Sequence, residues 1–314
     1  MGMCRVTQSA VFDDADAFAR KHATAPLEVA SLPTAKAALV VSPDGFRVSA
    51  QTRSDNRYMR IGHATDDARA HQQHAALVRA IDRCVPVVRF KGDSASPDAV
   101  FPNNAFGTIN GRLIVGAMRH AERRLETTRR DIPRFFRTRL GYSVRRLDRD
   151  PECVAELTGA LAIDRGRRIG YCGLSERCNR VGAHAMHDAF ELRRTFVFEL
   201  APGEYHTNVV LAVLASKLLF ICREALADPR AADAIAAIYA PHVVWLDTQE
   251  KLGFCGNAIA LDAATAWLSE RAVDTLRPAS RKAIERAGFA IGAVPLDEIE
   301  TAGGSLRCCI AEVF

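Results

Sequence analysis

One pattern recurs about every 50 residues along this chain, and it limits the available folds more than any other feature: two short apolar runs around a turn, an amphipathic helix, then a third apolar run. The first copy carries "AALVVSPDGFRVSA", with Asp44-Gly45 as a hairpin turn, a helix in "AHQQHAALVRAIDR" and a strand in "VPVVRF". The second turns at Asn110-Gly111, continues into one helix from Ala121 to Arg139, and ends on "YSVRRL". The third runs from "ELTGALAIDRGRRIGYCGLS" to "TFVFEL", and the fourth from "HTNVVLAVLASKLLFIC" to "HVVWLD". The fifth starts at "FCGNAIALDAATAWLS" and ends on "FAIGAV", leaving "SLRCCIAEVF" to complete the sheet of a neighbouring copy. Units this small cannot each bury a core, so the five are expected to pack around one axis as a single closed domain over residues 37–314. Residues 1–36 are expected to form an N-terminal extension packed on it.

Composition narrows the class of protein. With 314 residues, 48% hydrophobic and 25% charged, the chain can bury a large core, which excludes a disordered protein. No run approaches the roughly 18 apolar residues of a membrane span, and the N-terminus lacks a signal-peptide core, so a cytoplasmic location is expected. Nine scattered cysteines without a C-x-x-C pair suggest neither a disulfide framework nor a zinc site. Arginines recur between Arg119 and Arg149, as a nucleic-acid face would require, but Glu122, Glu126, Asp131 and Asp148 are interleaved with them. That mixture reads as a solvated helix surface, and a non-catalytic nucleic-acid-binding module is kept only as a rival reading.

The repeats also align polar residues. Asn103 and Asn104, Glu156, His206 and Asn257 open successive units, and Cys308 arrives last, after Gly303-Gly304. At that spacing each side chain is expected to project toward one central position from a different unit. A cysteine, a histidine and a carboxylate meeting in space can act as nucleophile, acid/base and orienting group. The competing reading of each alone is structural: free cysteine is among the most buried residue types, and a lone histidine is more often a satisfied core residue.

The stretches "DAVFPNNAF", "ELTG", "GLSERCNRVG", "YHTNV", "FCGNAI" and "GGSLRC" together resemble the pentein, or guanidino-group-modifying, superfamily, which includes arginine deiminases, dimethylarginine hydrolases, amidinotransferases and citrulline utilization hydrolases. The resemblance runs from about residue 37 to the end and implies an α/β fold, a five-bladed ββαβ propeller with pseudo-fivefold symmetry. It implies Cys308 as covalent nucleophile, His206 as general acid/base and Glu156 as the family's first carboxylate. Arg177 is similar to the arginine that binds a substrate α-carboxylate, with Asn179 helping to position it, and Asn103, Asn104 and Asn257 fall among the substrate-binding positions. Where dimethylarginine hydrolases have two acids this chain has Asn103 and Asn104, and Gly159 stands where the third-unit motif ends on an acid. Amides can donate as well as accept, so a neutral ureido group is held as readily as a guanidinium. Ala105 replaces the tryptophan usual in the citrulline branch. The implied activity is hydrolysis of guanidino or ureido C–N bonds of arginine, citrulline or a close derivative, with no cofactor and no metal. An amidinotransferase is the alternative within the superfamily. The expected partner is that small-molecule substrate rather than a nucleic acid or a membrane, and a homo-oligomer is compatible with the resemblance.

Overall fold

The computed structural model describes residues 10–314. Strand β1 (Ala10–Phe12) and helix α1 (Ala15–Thr24) precede the repeats, followed by β2 (Ala37–Val41), α2 (Asp67–Ile81) and β3 (Val87–Phe90). The second unit contains β4 (Phe106–Ile109), β5 (Arg112–Val115), α3 (Ala121–Thr128), α4 (Asp131–Leu140) and β6 (Ser143–Arg146). The third contains α5 (Leu157–Ala160), β7 (Leu161–Asp164), β8 (Ile169–Leu174), α6 (Arg180–Ala189) and β9 (Arg194–Glu199). The fourth contains α7 (Thr207–Val210), β10 (Leu211–Leu214), β11 (Leu218–Ile221), α8 (Pro229–Tyr239) and β12 (Val243–Trp245). The fifth contains α9 (Thr248–Leu252), β13 (Thr265–Ser269), α10 (Glu270–Thr275), α11 (Pro278–Arg286) and β14 (Ala290–Val294), and β15 (Ala311–Val313) ends the chain.

The result is a mixed α/β structure with five separate sheets among the described residues. In the second, third and fourth units an antiparallel hairpin is followed by a parallel third strand, β4-β5-β6, β7-β8-β9 and β10-β11-β12. A helix between the second and third strands makes the parallel crossover. Helix starts follow the local chemistry: Asp66, Asn179 and Asp228 cap α2, α6 and α8, and Asp247 with Glu250 forms a capping box on α9.

Three sequence expectations need correction. The Asp44-Gly45 turn is not a hairpin, because no strand follows it; the antiparallel partner of β2 is β15, with Ala311 opposite Leu39 and Val313 opposite Ala37. The C-terminal run thus does complete another unit's sheet, and residues 42–62, released from pairing, cross over the site described below. The helix expected over Ala121 to Arg139 is two helices, broken at Arg129 (ψ 137). Pro133 lacks an N–H and its ring collides with the carbonyl four residues earlier, so α3 cannot run through. In the fifth unit the first strand shrinks to a single bridge between Ile259 and Trp267, leaving β13 and β14 paired in parallel.

The main core gathers β10, β11, α8 and their neighbours around buried Leu211, Phe220, Ile221 and Ile235. The N-terminal segment joins it: β1 pairs in parallel with β9, and Phe18 of α1 stacks on Phe196 with ring centroids 4.7 Å apart. Among the described residues no helix is long and apolar enough to cross a membrane.

Candidate active site

A short helical turn stands before the first strand of several units, and each delivers a polar side chain. A 3-10 turn at Pro102–Asn104 precedes β4, Glu156 is the N-cap of α5 before β7, and His206 is the N-cap of α7 before β10. A 3-10 turn at Leu306–Cys309 precedes β15. The turn directs these side chains away from the strand faces that build the core, and all of them are buried.

Cys308 is fixed from two sides. Asn257 Nδ2 donates to its Sγ at 3.2 Å and Asn208 Nδ2 donates at 3.5 Å. Asn257 Oδ1 also accepts from the backbone N–H groups of Arg307 and Cys308, at 2.9 and 3.3 Å. One asparagine therefore holds the loop and, with Asn208, offers N–H groups to the sulfur. The approach to this loop turns at Gly303, whose φ of 79° is left-handed and where a Cβ would collide with Asn56.

Glu156 is wholly buried and accepts from His206 Nε2 at 2.9 Å, Arg177 Nη1 at 3.1 Å, Arg123 Nη1 at 3.3 Å and the Arg119 N–H at 3.3 Å. Against the cost of burial, these two guanidinium groups and the His206 hydrogen bond hold its carboxyl well below the usual range. His206 is affected most by its own burial, which lowers it to about 4 despite the opposing pull of Glu156. The imidazole is thus neutral at physiological pH, with its proton on Nε2 facing Glu156 and a lone pair on Nδ1. That Nδ1 has no hydrogen-bond partner among the described residues.

It is not alone. Both side-chain amide atoms of Asn103, Asn104 Oδ1 and Asp98 Oδ1 are also buried without partners. Each such group costs about 1–3 kcal/mol in a folded protein, so a cluster of them marks a place built for a ligand's polar atoms. Asn104 and His206 meet over Gly159: a Cβ there would overlap Asn104 Oδ1 and lie 2.8 and 2.9 Å from His206 Cε1 and Nδ1. Asp98, Asn104, Arg123, Arg177, Tyr205 and Cys308 line one cavity, and the Tyr205 ring lies 4.4 Å from that of His206. No hydrogen bond joins the Cys308 sulfur to the imidazole among the described residues; they are linked through α7, where Asn208 lies two residues beyond His206. The cavity measures about 10 Å³, the order of one water. Thr52, Asn56 and Met59 form its roof.

Of the anticipated site residues, Cys308, His206, Glu156, Asn104 and Asn257 gather here, although Asn257 contacts the sulfur's loop more than the cavity; Asn103 precedes Asn104 in the same turn, its side chain buried and its carbonyl accepting from Thr158. Two behave differently. Arg177 has all five donors engaged: Nε and Nη2 grip Asp55 at 2.8 and 2.6 Å, Nη2 also reaches the Thr52 carbonyl at 3.1 Å, and Nη1 spans Glu156. No donor remains for a substrate carboxylate in this arrangement. Asn179 caps α6, its Oδ1 accepting from the Gly182 N–H at 2.8 Å and its Nδ2 donating to the Glu152 carbonyl at 2.7 Å, so its polar atoms are spent on backbone. Sequence reasoning missed Asn208, Asp98, Arg123 and Asp55. Asn208 and Asp98 lie inside the quoted stretches "YHTNV" and "DAVFPNNAF"; nothing local distinguishes Asp55. Within the arginine-rich region, Arg123, Arg129 and Arg146 pair with Glu126, Asp131 and Asp148 of the same region. Among the described residues no group of three or more His, Cys, Asp or Glu side chains could hold a metal ion, and Cys172, Cys178, Cys308 and Cys309 are free thiols.

Known proteins can now be set beside this geometry. No curated protein matches the sequence. Among solved structures, the N-terminal domain of ArgZ, an arginine dihydrolase from the ornithine-ammonia cycle in Cyanobacteria, crystallised as a mutant bound to substrate, is 21% identical with a TM-score of 0.77, covering 88% of this chain and 97% of that one. AgrE in ternary complex with ornithine and NAD+ gives 21% and 0.78, over 88% of this chain and 39% of that one. A dimethylarginine dimethylaminohydrolase adduct with 4-chloro-2-hydroxymethylpyridine gives 21% and 0.68, over 88% and 99%. At these identities the likeness establishes the fold alone. The sequence model of one family, N,N dimethylarginine dimethylhydrolase, eukaryotic, matches residues 42–314. That span is most of the chain, which therefore belongs to this family of pentein hydrolases acting on guanidino C–N bonds.

Proposed function

We propose that the chain is a cysteine-dependent hydrolase of arginine that can continue from the ureido product to ornithine. The observation that carries this reading is the set of unpartnered, mostly neutral polar atoms on Asn103, Asn104, Asp98 and His206 beside the Asn-held Cys308. The Cys308 thiol passes its proton to Nδ1 of the neutral His206 as its sulfur adds to the guanidino carbon. His206 then gives that proton to the departing nitrogen, so one ammonia leaves and an S-alkylthiouronium remains. The neutral imidazole left behind takes a proton from water, whose oxygen bonds to the same carbon and expels the sulfur, yielding citrulline. A second round on the ureido carbon releases another ammonia, and hydrolysis of the thioester-like adduct yields carbon dioxide and ornithine. The asparagines support both rounds, because an amide accepts from a guanidinium N–H in the first and donates to a ureido oxygen in the second. Glu156 keeps the imidazole oriented and compensates its positive charge; Asn257 and Asn208 hold the sulfur. The α-carboxylate of the substrate reaches Arg177 by exchanging with Asp55.

The finer architecture is part of the same reading. The five sheets are blades of a five-bladed propeller with pseudo-fivefold symmetry over residues 37–314, and residues 10–36 are an extension packed on it; residues 1–9 of the expected extension lie outside the described residues. The recurring turn-then-strand at Asn104, Glu156, His206 and Cys308 supports it.

The family match favours one second reading, a guanidino group bearing N-methyl substituents. Incubating the protein with arginine, citrulline and dimethylarginine, and measuring ammonia, dimethylamine, citrulline and ornithine, separates them. Ammonia and ornithine from arginine, abolished in Cys308→Ser, are expected. Dimethylamine with no turnover of arginine selects the second reading, and no turnover of any of the three overturns both.

A further inference from the structure

On the outer side of the first unit, α2 and β3 enclose a cleft of about 450 Å³ that shares no residue with the active site. Its floor is apolar, from Ala75, Val78 and Phe90, and its rim carries Arg79, Arg89 and Lys91. These three cations make no ion pair among the described residues; the ion pairs nearby belong to Arg69 with Asp297 and to His71 with Asp67 and Asp44. Beside the cleft, Asp44 is held by Ser42 Oγ and lies 4.0 Å from His71 Nε2. Set into the wall is His74, which is 7% exposed and whose Nε2 has no hydrogen-bond partner. Burial lowers this imidazole to about 4 and keeps it neutral, leaving Nε2 open to a ligand's polar atom.

The elements of a small-molecule site are therefore present: a volume inside the common range of roughly 300–1,000 Å³, apolar walls, and a few placed polar groups. Three cations on one rim suit a dianion better than a monocarboxylate, and arginine forks match phosphate oxygens in particular. The buried, unpartnered Nε2 asks for a hydroxyl on the ligand's body, which can donate or accept, and the floor for a flat or apolar face. We propose that this cleft binds a small phosphate ester carrying a hydroxylated, partly apolar body, of the nucleoside monophosphate class.

Calorimetric titration of the full chain with adenosine 5′-monophosphate, adenosine, methyl phosphate and inorganic phosphate tests this. The monophosphate is expected to bind and adenosine not to. Arg89→Ala, a surface change with unaltered thermal midpoint and unaltered guanidino turnover, is expected to weaken it by about tenfold, the loss of one charge-assisted contact. His74→Phe is expected to weaken the monophosphate more than methyl phosphate, which has no hydroxyl to offer. Unchanged binding in Cys308→Ser locates the ligand outside the active site. The proposal is overturned if no phosphate-bearing probe binds at about 10 mM, a concentration well above the millimolar limit of a weak specific site. It is also overturned if Arg89→Ala binds as the parent does, or if a single-stranded oligonucleotide is held far more tightly than the monophosphate, which would make the cleft part of a polynucleotide track.

Discussion

Gly159 shows how much one missing methyl group can decide. Two side chains from different units, Asn104 and His206, occupy the space a Cβ would need, so Gly159→Ala must push one of them aside. Displacements near 1 Å at reacting groups cost about 100-fold, and a loss of that size in kcat/KM is expected, with the fold retained by circular dichroism. His206 gives a second, pH-dependent prediction. Its folded pKa of about 4 lies below the 6.5 of the unfolded chain, so the unfolded state binds the extra proton between those values. Stability should therefore fall as pH drops from 6.5 to 4 and lose nothing more to this group below that. Glu156, depressed in the folded state, adds stability that is present above its unfolded value of 4.5 and lost as pH falls further. Urea unfolding across a pH series checks this: His206→Gln should flatten the slope between pH 6.5 and 4, removing up to about 3 kcal/mol of the dependence.

At the scale of elements, caps and breaks explain most of what the helices do. Asn179 illustrates the difference between sharing a motif with the site and serving it, since its amide closes the first turn of α6 and the loop at Glu152. Asn179→Ala should cost about 1 kcal/mol of stability, seen as a lower thermal midpoint, while kcat/KM stays within about twofold. A larger loss of turnover would return this residue to the substrate. The α3–α4 break and the β15–β2 pairing make a related point. Pro133 was visible in the sequence and its effect is local, whereas β2 had two candidate antiparallel partners of similar pattern, one adjacent and one near the far end of the chain.

Over the whole molecule, the roof of the cavity governs access. A volume of about 10 Å³ does not admit an arginine, so residues 52–59 must move for substrate to enter. Their tether is Glu204, which is buried and accepts from Arg57, from Tyr58 Oη at 2.5 Å and from Lys251 Nζ at 2.6 Å. Glu204→Gln leaves the buried Lys251 ammonium without its anion, a loss of about 3–5 kcal/mol. Faster hydrogen exchange at residues 52–59 than elsewhere is expected, and Glu204→Gln with Lys251→Met should recover part of the stability without restoring the slow exchange. Uniform exchange across the molecule would show that the tether acts on the fold rather than on the roof.

Alternation of apolar runs and turns placed the hairpins of the second, third and fourth units, because burial on one face leaves a period in the sequence that tertiary context cannot hide. The same period located Cys308, His206, Glu156 and Asn104, since each stands just ahead of a first strand. What no local pattern carried was the choice of partners across units. Arg177 meets Asp55, a residue 122 positions away at the end of a short 3-10 turn, and Cys308 meets Asn208 at a separation of 100. Hydrogen bonds between loops depend on how the units close on one another, and that closure made Arg177 a buried, fully bonded guanidinium and Asn257 the holder of the sulfur.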